Sequence, residues 1–257
     1  MKYIKMKKKR LFFLIAIVFS INAIGQSEQL AVREKAKLYP TKEIVSHYHN
    51  DWTQGHYKKR IEDFENEPLE FGDIVFIGNS ITEKGENWTK KFNIAHIRNR
   101  GIAGDLTDGV LKRLNEIVYF KPKAVFILIG INDLYNLHYE EARGNLKYYK
   151  IVPSVDYVGK NILKIAKLIH RKSPETKIYV RTVLPTRRAY LKEDVLFVNK
   201  IIKKNEAKGY YKVVDLYSQF VDANGDLIKD LTVDGVHLSD KGYEKWAKIE
   251  KSLIEGL

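Results

Sequence analysis

The stretch 73-DIVFIGNSITEKGENW-88 contains a short apolar run that ends at a hydroxyl residue. Every residue from Ile74 to Ile77 is apolar, and Gly78, Asn79 and Ser80 follow at once. An apolar run of this length beside turn residues is typical of a strand buried on both faces. The stretch therefore predicts a buried strand, and Ser80 either closes an ordinary turn or is presented as a nucleophile.

Short apolar strands alternate with amphipathic helices along the rest of the chain. The predicted strands cover residues 74–77, 96–99, 124–129, 177–183 and 212–216. The predicted helices cover residues 52–64, 106–117, 155–170, 195–208 and 240–254. This alternation is the signature of a parallel sheet covered by helices on both faces. The predicted fold class is therefore α/β, a three-layer α/β/α sandwich whose ligands bind at the carboxyl ends of the strands.

The first 25 residues differ in composition from the rest of the chain. Six positive charges within the first ten residues precede the apolar run Leu11–Ile24, which is short for a membrane span. Small residues at Ala23 and Gly25 indicate cleavage before Gln26. We predict a signal peptide over residues 1–25, with export to the periplasm or the medium and no stable membrane insertion after processing. The alternative is an uncleaved N-terminal anchor.

Composition narrows the class of protein. The 257 residues are 44% hydrophobic, which fits one globular domain with a real core. The net charge is +13, and it falls to +7 without the six charges of the predicted signal. That charge favours anionic partners, but no nucleic-acid-binding motif accompanies it, so we expect no nucleic-acid partner. The absence of cysteine excludes disulfides, cysteine zinc sites and thiol catalysis.

Two common catalytic loops are absent from the sequence. The nucleophile elbow of α/β-hydrolases needs glycine two residues on each side of the serine, and in 78-GNSIT-82 the second position is Thr82. No glycine-rich run ends in Gly-Lys-Ser or Gly-Lys-Thr, which excludes the usual phosphate-binding loop. A nucleophilic Ser80 would therefore need a different setting.

A serine hydroxyl is a weak nucleophile unless a base takes its proton. Of the seven histidines, only His237 has a carboxylate three residues earlier, at Asp234. On a turn, this spacing lets the carboxylate bind one ring nitrogen while the other faces a serine. Asp215, which follows the last predicted strand, is the alternative acid, and we prefer Asp234.

Donors for an oxyanion are available after two predicted strands. The stretch 99-NRGIAGDLTDGVLKRL-114 places Gly101 and Gly104 between a strand and a helix, where backbone N–H groups are free. The stretch 127-ILIGINDL-134 places Asn132 at the end of the third strand. Each also has a structural reading, Gly104 as a tight turn and Asn132–Asp133 as a turn or helix cap.

Four blocks together resemble the SGNH hydrolases, also called the GDSL family of lipases and esterases. The blocks are 74-IVFIGNSIT-82, 99-NRGIAGD-105, 128-LIGIND-133 and 234-DGVHLSDKGY-243. The resemblance spans about residues 71–255 and implies a flavodoxin-like three-layer fold. We accordingly expect an SGNH hydrolase domain at residues 71–257, with residues 26–70 as an N-terminal extension packed on it.

The resemblance implies a serine ester hydrolase that needs no cofactor. The implied residues are Ser80 as nucleophile, His237 as general base, Asp234 as its orienting carboxylate, and an oxyanion hole formed by the Ser80 and Gly104 N–H groups with the Asn132 side chain. Family members often carry aspartate before the serine, and here that residue is Asn79. The substitution keeps the capping geometry and removes a charge.

The second block resembles the branch that contains platelet-activating factor acetylhydrolase subunits and bacterial sialate and other carbohydrate O-acetylesterases. It implies a secreted enzyme that removes acetyl groups from carbohydrates, including acidic sugars such as sialic acid. The segment 133–153, predicted as a loop, offers Tyr135, Tyr139 and Arg143 as substrate contacts, unless these residues only pack the loop or face solvent.

Two other functions stay open at this point: a lysophospholipase- or lipase-type esterase for longer chains, and an inactive glycan-binding module. We expect no metal, because His47, His49 and His56 lack a recognised ligand spacing. The expected partner is a small-molecule or glycan ester, and the sequence does not indicate an oligomeric state.

Overall fold

The computed structural model describes residues 37–41, 45–141 and 148–257. Residues from Pro40 to Leu257 form one compact unit, and a second unit, Met1–Tyr39, is described only from residue 37 onward. The predicted signal peptide and Arg143 lie outside the described residues. Among the helices of the described part, none is both long enough and apolar enough to cross a membrane.

Five parallel strands form one sheet in the order β2-β1-β3-β4-β5. The strands are β1 (Ile74–Gly78), β2 (Ile97–Gly101), β3 (Ala124–Leu128), β4 (Lys177–Arg181) and β5 (Lys212–Val214). Gly78 pairs with Gly101 on one side and with Leu128 on the other, so the three strands end level. The loops that follow the strands therefore share one edge of the sheet, which we call the carboxyl edge.

Helices cover both faces of this sheet and complete a three-layer α/β/α fold. The helices are α1 (Asp51–Asn66), α2 (Ser80–Glu83), α3 (Trp88–Phe92), α4 (Thr107–Lys112), α5 (Asn115–Phe120), α6 (Ile131–Leu137), α7 (Val155–Lys172), α8 (Lys192–Asn205), α9 (Tyr217–Phe220) and α10 (Asp240–Glu255). Helices α4, α7 and α8 pack side by side on one face, while α3 and α10 contact each other on the opposite face. The predicted fold class is thus confirmed.

The face under α10 contains a buried ion pair within an aromatic cluster. The Arg181 guanidinium donates to Glu250 at 2.8 and 2.6 Å, and both side chains are fully buried. It also lies over the rings of Phe76 and Trp246. Removing either charge alone would leave the other buried and unpaired, which typically costs about 3–5 kcal/mol. The pair therefore fixes α10 on the central strands.

Helix α1 packs beside β2 and α4 through residues at helical spacing. Its buried side chains are Thr53, Tyr57, Ile61 and Phe64. The Tyr57 hydroxyl donates to the Gly109 carbonyl at 3.0 Å, and Arg60 Nε donates to the Gly101 carbonyl at 3.3 Å. The helix thus reaches the segment that follows β2.

The predicted helix over residues 106–117 is wrong as a single element. The chain forms α4 and α5 instead, with a break at Arg113 and Leu114. The Arg113 side chain is buried and donates to the carbonyls of Gly78 and Arg100, at 3.0 and 2.8 Å. The break accompanies this inward turn of a long charged side chain toward the ends of β1 and β2.

The predicted loop over residues 133–153 is also corrected, because its first part belongs to α6.

Two strands end two residues before the point that the sequence predicts, β4 at Arg181 instead of 183 and β5 at Val214 instead of 216. The Asn199 side chain bonds both backbone groups of Val183 and ends β4 at Arg181, while β5 ends at Val214 in a turn closed by the Leu216 N–H.

Candidate active site

Ser80 lies where β1 passes into α2. A Cβ at Gly78 would lie only 2.2 Å from the Leu128 carbonyl oxygen, so glycine allows β1 and β3 to approach here. The Asn79 side chain then caps α2 by accepting the Ile81 N–H at 3.0 Å. Ser80 is the first residue of the helix, at the carboxyl edge.

Helix α2 has only four residues, and two side chains from other elements hold it. The Tyr243 hydroxyl donates to the Ile81 carbonyl at 2.8 Å, and Trp88 Nε1 donates to the Thr82 carbonyl at 3.0 Å. Both rings are buried. Because an isolated four-residue helix is unstable in water, these contacts fix the direction of Ser80.

The structure brings Ser80, His237 and Asp234 together. Ser80 Oγ lies 2.9 Å from His237 Nε2, although 157 positions separate the two residues. His237 Nδ1 lies 2.6 Å from Asp234 Oδ2. With hydrogen on Nδ1, the ring donates to the carboxylate and its Nε2 accepts the Ser80 hydroxyl. This is the geometry of a nucleophile, a base and an orienting acid.

Asp234 is held as a carboxylate. Its Oδ1 accepts the backbone N–H groups of Val236 and His237, at 2.9 and 2.8 Å. Partial burial acts to raise the pKa of Asp234, but the hydrogen bonds from the His237 ring and from the two N–H groups lower it to about 2. The group therefore keeps its charge at all ordinary pH values.

Hydrogen bonds hold the loop that carries Asp234 and His237. Thr232 Oγ1 donates to the His237 carbonyl at 2.7 Å and accepts the Gly235 N–H at 2.8 Å. The Gly235 carbonyl in turn accepts the Arg187 N–H at 2.8 Å, from the segment after β4. The position of the His237 ring is thus set by backbone contacts on both sides.

The Asp215 carboxylate binds side chains other than His237. Its carboxylate accepts the Thr182 hydroxyl at 3.1 Å and pairs with Lys203 at 2.6 Å. The carboxylate that the His237 ring contacts is that of Asp234. The geometry therefore favours Asp234 as the acid of the site, as the spacing in the sequence predicts.

The segments that carry the expected oxyanion donors meet beside Ser80. Gly104 has φ +78, and a Cβ there would lie 2.5 Å from Thr53 Oγ1 on α1. Asn132 Nδ2 donates to the carbonyl of Asp105, the residue after Gly104, at 2.9 Å. Ser80 opens α2, so its N–H has no acceptor within that helix. The role of these three groups in binding an oxyanion stays a prediction.

A buried charge network supports the Gly104 segment, and the sequence did not reveal it. Asp105 is fully buried, and its carboxylate binds Arg113 and His49, each at 3.0 Å. Arg113 extends to the Gly78 carbonyl at the end of β1. From the other side, Glu83 of α2 accepts the Ala103 N–H. The ends of β1 and β2 are thus linked by charge-assisted hydrogen bonds.

Asp133 joins α6 to α4. Its buried carboxylate accepts the N–H and the hydroxyl of Thr107, at 3.0 and 2.6 Å. Burial raises the pKa of Asp133 from 3.8 to about 7, although the hydrogen bonds from Thr107 act in the opposite direction. Asn132 therefore lies in the first turn of a fixed helix, whereas the sequence places it at the end of the third strand.

The three expected substrate contacts have different outcomes. Tyr135 lies on the same helix as Asn132, and burial raises the pKa of its hydroxyl while the nearby Arg188 acts to lower it. The Tyr139 hydroxyl instead bonds Glu140 on the exposed surface, and Arg143 lies outside the described residues.

The sequence alone did not point to Arg188 and Tyr190 as residues at the carboxyl edge. The ring of Tyr190 packs edge-on against that of Tyr135, with the centroids 6.2 Å apart. A signal was present, because the stretch 186-TRRAY-190 follows β4, and every such segment reaches the carboxyl edge.

Two of the three N-terminal histidines bind carboxylates. His49 Nε2 bonds Asp105, and His56 Nε2 bonds Glu83 at 2.9 Å. Within the part of the chain that the structure describes, one group of three side chains could supply metal ligands: Glu70, Asp73 and His96. These residues flank the starts of β1 and β2, at the opposite edge of the sheet from Ser80.

Known proteins share this sequence pattern and architecture. The profile of the GDSL-like lipase/acylhydrolase family matches residues 76–245. The chain belongs to that family. It is 28% identical over 211 residues to the human (Homo sapiens) platelet-activating factor acetylhydrolase IB subunit alpha2, which covers 79% of this chain and 83% of the relative. The chain is accordingly an SGNH hydrolase and a carboxylic ester hydrolase.

Solved structures share the fold. A GDSL-like lipase from Bacteroides thetaiotaomicron VPI-5482 has a TM-score of 0.64 and 23% identity, over 78% of this chain and 97% of that chain. An acetylxylan esterase from Geobacillus stearothermophilus has a TM-score of 0.57 and 18% identity, over 70% and 93% respectively. At these identities the likeness shows the fold alone.

Proposed function

We propose that this GDSL-family enzyme is an exported serine esterase that removes O-acetyl groups from carbohydrates through an acyl-enzyme intermediate. One observation carries the catalytic part of the proposal. Ser80 Oγ lies 2.9 Å from His237 Nε2, and the ring is held on its other side by Asp234 at 2.6 Å. Export rests on the signal-like composition of residues 1–25.

In the first half-reaction Ser80 Oγ attacks the ester carbonyl carbon, and its proton passes to His237 Nε2. Asp234, ionised because its pKa is about 2, stabilises the imidazolium that forms. The ester C–O bond then breaks, and the imidazolium gives its proton to the departing sugar oxygen. Acetyl remains as an ester on Ser80.

In the second half-reaction water attacks the acetyl-serine while His237 takes its proton. The tetrahedral intermediate collapses to acetate, and the proton returns to Ser80 Oγ. In both halves the negative charge on the former carbonyl oxygen would be met by the Ser80 and Gly104 N–H groups and by the Asn132 amide. Losing one such donor typically lowers kcat by about 10²–10³-fold.

The acetyl and carbohydrate parts of the proposal have separate support. The human relative is named an acetylhydrolase, and the Geobacillus neighbour is named an acetylxylan esterase. After two strands that end at the carboxyl edge, the half-buried rings of Tyr135 and Tyr190 pack with their centroids 6.2 Å apart. Aromatic rings with hydrogen-bonding edges suit sugar rings.

The first test is hydrolysis of 4-nitrophenyl esters from two to twelve carbons by the purified protein and by Ser80→Ala. We expect Ser80-dependent activity that peaks at acetate, followed by acetate release from acetylated glycans. An optimum at eight carbons or more would instead favour the lysophospholipase- or lipase-type reading. Glycan binding without any Ser80-dependent turnover would favour an inactive binding module.

A further inference from the structure

Three side chains that could bind a metal ion lie at the edge of the sheet opposite Ser80. Glu70 and Asp73 lie on the turn that leads into β1, and His96 directly precedes β2. One ligand atom from each of the three lies within 4.8 Å of the others. The five residues of β1, at about 3.3 Å each, separate this group from Ser80. We call Glu70, Asp73 and His96 the distal cluster.

The Asp73 carboxylate is buried, and one of its oxygens lacks a hydrogen bond. Asp73 is 1% exposed, and its Oδ2 accepts the Glu70 N–H at 2.8 Å. Its Oδ1 is buried and has no hydrogen-bond partner among the described residues. A buried carboxylate oxygen without a partner is costly in free energy, so a donor or a cation usually binds it. Oδ1 is therefore the atom of the distal cluster that most needs a ligand.

The His96 ring lies near this oxygen, at a distance longer than a hydrogen bond. Its Nδ1 is 3.6 Å from Asp73 Oδ1, whereas an N–H···O hydrogen bond measures about 2.7–3.2 Å. Two ligands of a tetrahedral zinc ion, each about 2.0–2.1 Å from the metal, lie about 3.3–3.4 Å apart. The observed distance is thus closer to the spacing of two zinc ligands than to that of a hydrogen-bonded pair.

Backbone hydrogen bonds fix the positions of the three residues. The Asp73 N–H donates to the Glu70 carbonyl at 3.2 Å, and the Asp73 carbonyl accepts the Lys123 N–H at 2.8 Å. The His96 carbonyl accepts the Ile74 N–H at 2.8 Å. The side chains of Glu70 and His96 are exposed. A cation can therefore reach the distal cluster from solvent, while the buried Asp73 keeps its place.

Arg98 reaches the other oxygen of the Asp73 carboxylate. Its Nε lies 3.8 Å from Oδ2, which also binds the Glu70 N–H, and its guanidinium donates to the carbonyls of Glu67 and Pro68. Arg98 thus leaves Oδ1 open. One imidazole and two carboxylates are ligands that suit Zn²⁺, whereas Ca²⁺ and Mg²⁺ take oxygen ligands.

We infer that Glu70, Asp73 and His96 bind one zinc ion, which joins the turn before β1 to the segment before β2. Water fills the fourth position, because the three side chains supply three ligand atoms. The ion stabilises this edge of the sheet and takes no part in ester hydrolysis. The inference goes beyond the proposed function and is independent of it, because Ser80 lies at the carboxyl edge.

The test titrates zinc chloride into the purified protein after removal of metal with a chelator. Calorimetry measures binding, and a melting curve measures stability. We expect one zinc ion per chain, and a melting temperature that rises by about 5 °C when free zinc is about 100-fold above Kd. Calcium chloride at the same concentration should give no rise, because the imidazole is a poor ligand for calcium.

Variants of the distal cluster assign the binding to these side chains. His96→Asn removes the imidazole and should fold, because asparagine tolerates the φ of +63 at this position. It should weaken zinc binding at least about 100-fold. Asp73→Asn should have a similar effect, although its amide oxygen can still accept the Glu70 N–H. His47→Asn is the matched control, because it removes another exposed histidine, and its zinc affinity should stay within about twofold of the wild type.

Three results would overturn the inference: no rise in the melting temperature of the wild type with zinc, equal affinity for calcium, or wild-type zinc affinity in His96→Asn. Hydrolysis of 4-nitrophenyl acetate by the zinc-free proteins is recorded separately. Equal rates for the wild type and Ser80→Ala would overturn the proposed function and leave the zinc site unaffected.

Discussion

Two of the histidine–aspartate pairs in the described part of the chain have similar contacts and different surroundings. His49 Nε2 lies 3.0 Å from Asp105 Oδ1, and both side chains are fully buried. His237 Nδ1 lies 2.6 Å from Asp234 Oδ2, where 23% of the histidine and 44% of the aspartate side chain are exposed. We call His49–Asp105 the inner pair and His237–Asp234 the outer pair. The two pairs differ in what the second ring nitrogen of the histidine contacts.

In the inner pair His49 Nδ1 has no hydrogen-bond partner among the described residues. Its aspartate also binds the buried Arg113 and serves to link strand ends. In the outer pair the second nitrogen faces the Ser80 hydroxyl at the carboxyl edge. The comparison teaches that an Asp–His contact is not in itself catalytic. It becomes reactive where the ring also faces a nucleophile that a substrate can reach.

The largest expected effect is on chemistry at the outer pair. His237→Ala should lower kcat for 4-nitrophenyl acetate by about 10⁴-fold or more, because the base of the site is lost. Thermal unfolding should change little, since the ring is near the surface. Steady-state kinetics and a melting curve of the same preparation test both halves. A variant that keeps a tenth of the wild-type rate would remove His237 from the mechanism.

The next effect separates two aspartates at the carboxyl edge. Asp234→Asn should lower kcat by about 10²–10⁴-fold, because the ring loses the carboxylate that fixes its tautomer. Asp215→Asn, which changes a carboxylate bonded to Thr182 and Lys203, should stay within about threefold of the wild type. Equal losses in the two variants would contradict the assignment of Asp234.

The same substitution at the inner pair should affect stability instead. His49→Ala removes a buried ring and its bond to Asp105, and should lower the free energy of unfolding by about 2–4 kcal/mol. Urea unfolding measures this loss. The kcat of the folded variant should stay within about tenfold of the wild type, so that the two alanine variants have opposite profiles. A stable but inactive His49→Ala would show that the comparison is wrongly drawn.

Much of this arrangement could be predicted from the sequence where it depends on local pattern. The apolar run before Gly78 predicts β1, and the spacing of Asp234 and His237 predicts their contact. Register then brings the ends of neighbouring parallel strands to one edge. The meeting of Ser80 with His237 follows only from the fold, because 157 positions separate them.

Other features depend on pairings that no local pattern shows. His49 and Asp105 are 56 positions apart, and Arg113 leaves a helical pattern to reach the strand ends. Helix α6 was missed because a segment with Gly130 and two polar residues favours a turn, whereas the hydrogen bonds that Thr107 donates to the buried Asp133 carboxylate fix a helix there. Tertiary contacts thus override local propensity at the site itself.

The smallest expected effect concerns another buried carboxylate, Asp133. Its pKa is raised from 3.8 to about 7, so the folded state favours the protonated form and stability falls as pH rises from about 4 to 7. Relative to Asp133→Asn, the wild type should lose about 1 kcal/mol of unfolding free energy per pH unit in this range. Urea unfolding at pH 5, 6 and 7 measures the difference. Parallel curves for the two proteins would mean that Asp133 stays ionised when buried.

The central claim, that Ser80 is the nucleophile activated by His237, is tested most directly by covalent labelling. The protein is incubated with a fluorophosphonate ester, digested and analysed by mass spectrometry, with Ser80→Ala and His237→Ala in parallel. The account predicts one adduct per chain on the Ser80 peptide, absent from Ser80→Ala and slowed at least about 100-fold in His237→Ala. An active enzyme labelled at another serine, or a Ser80→Ala variant that keeps its esterase activity, would contradict it.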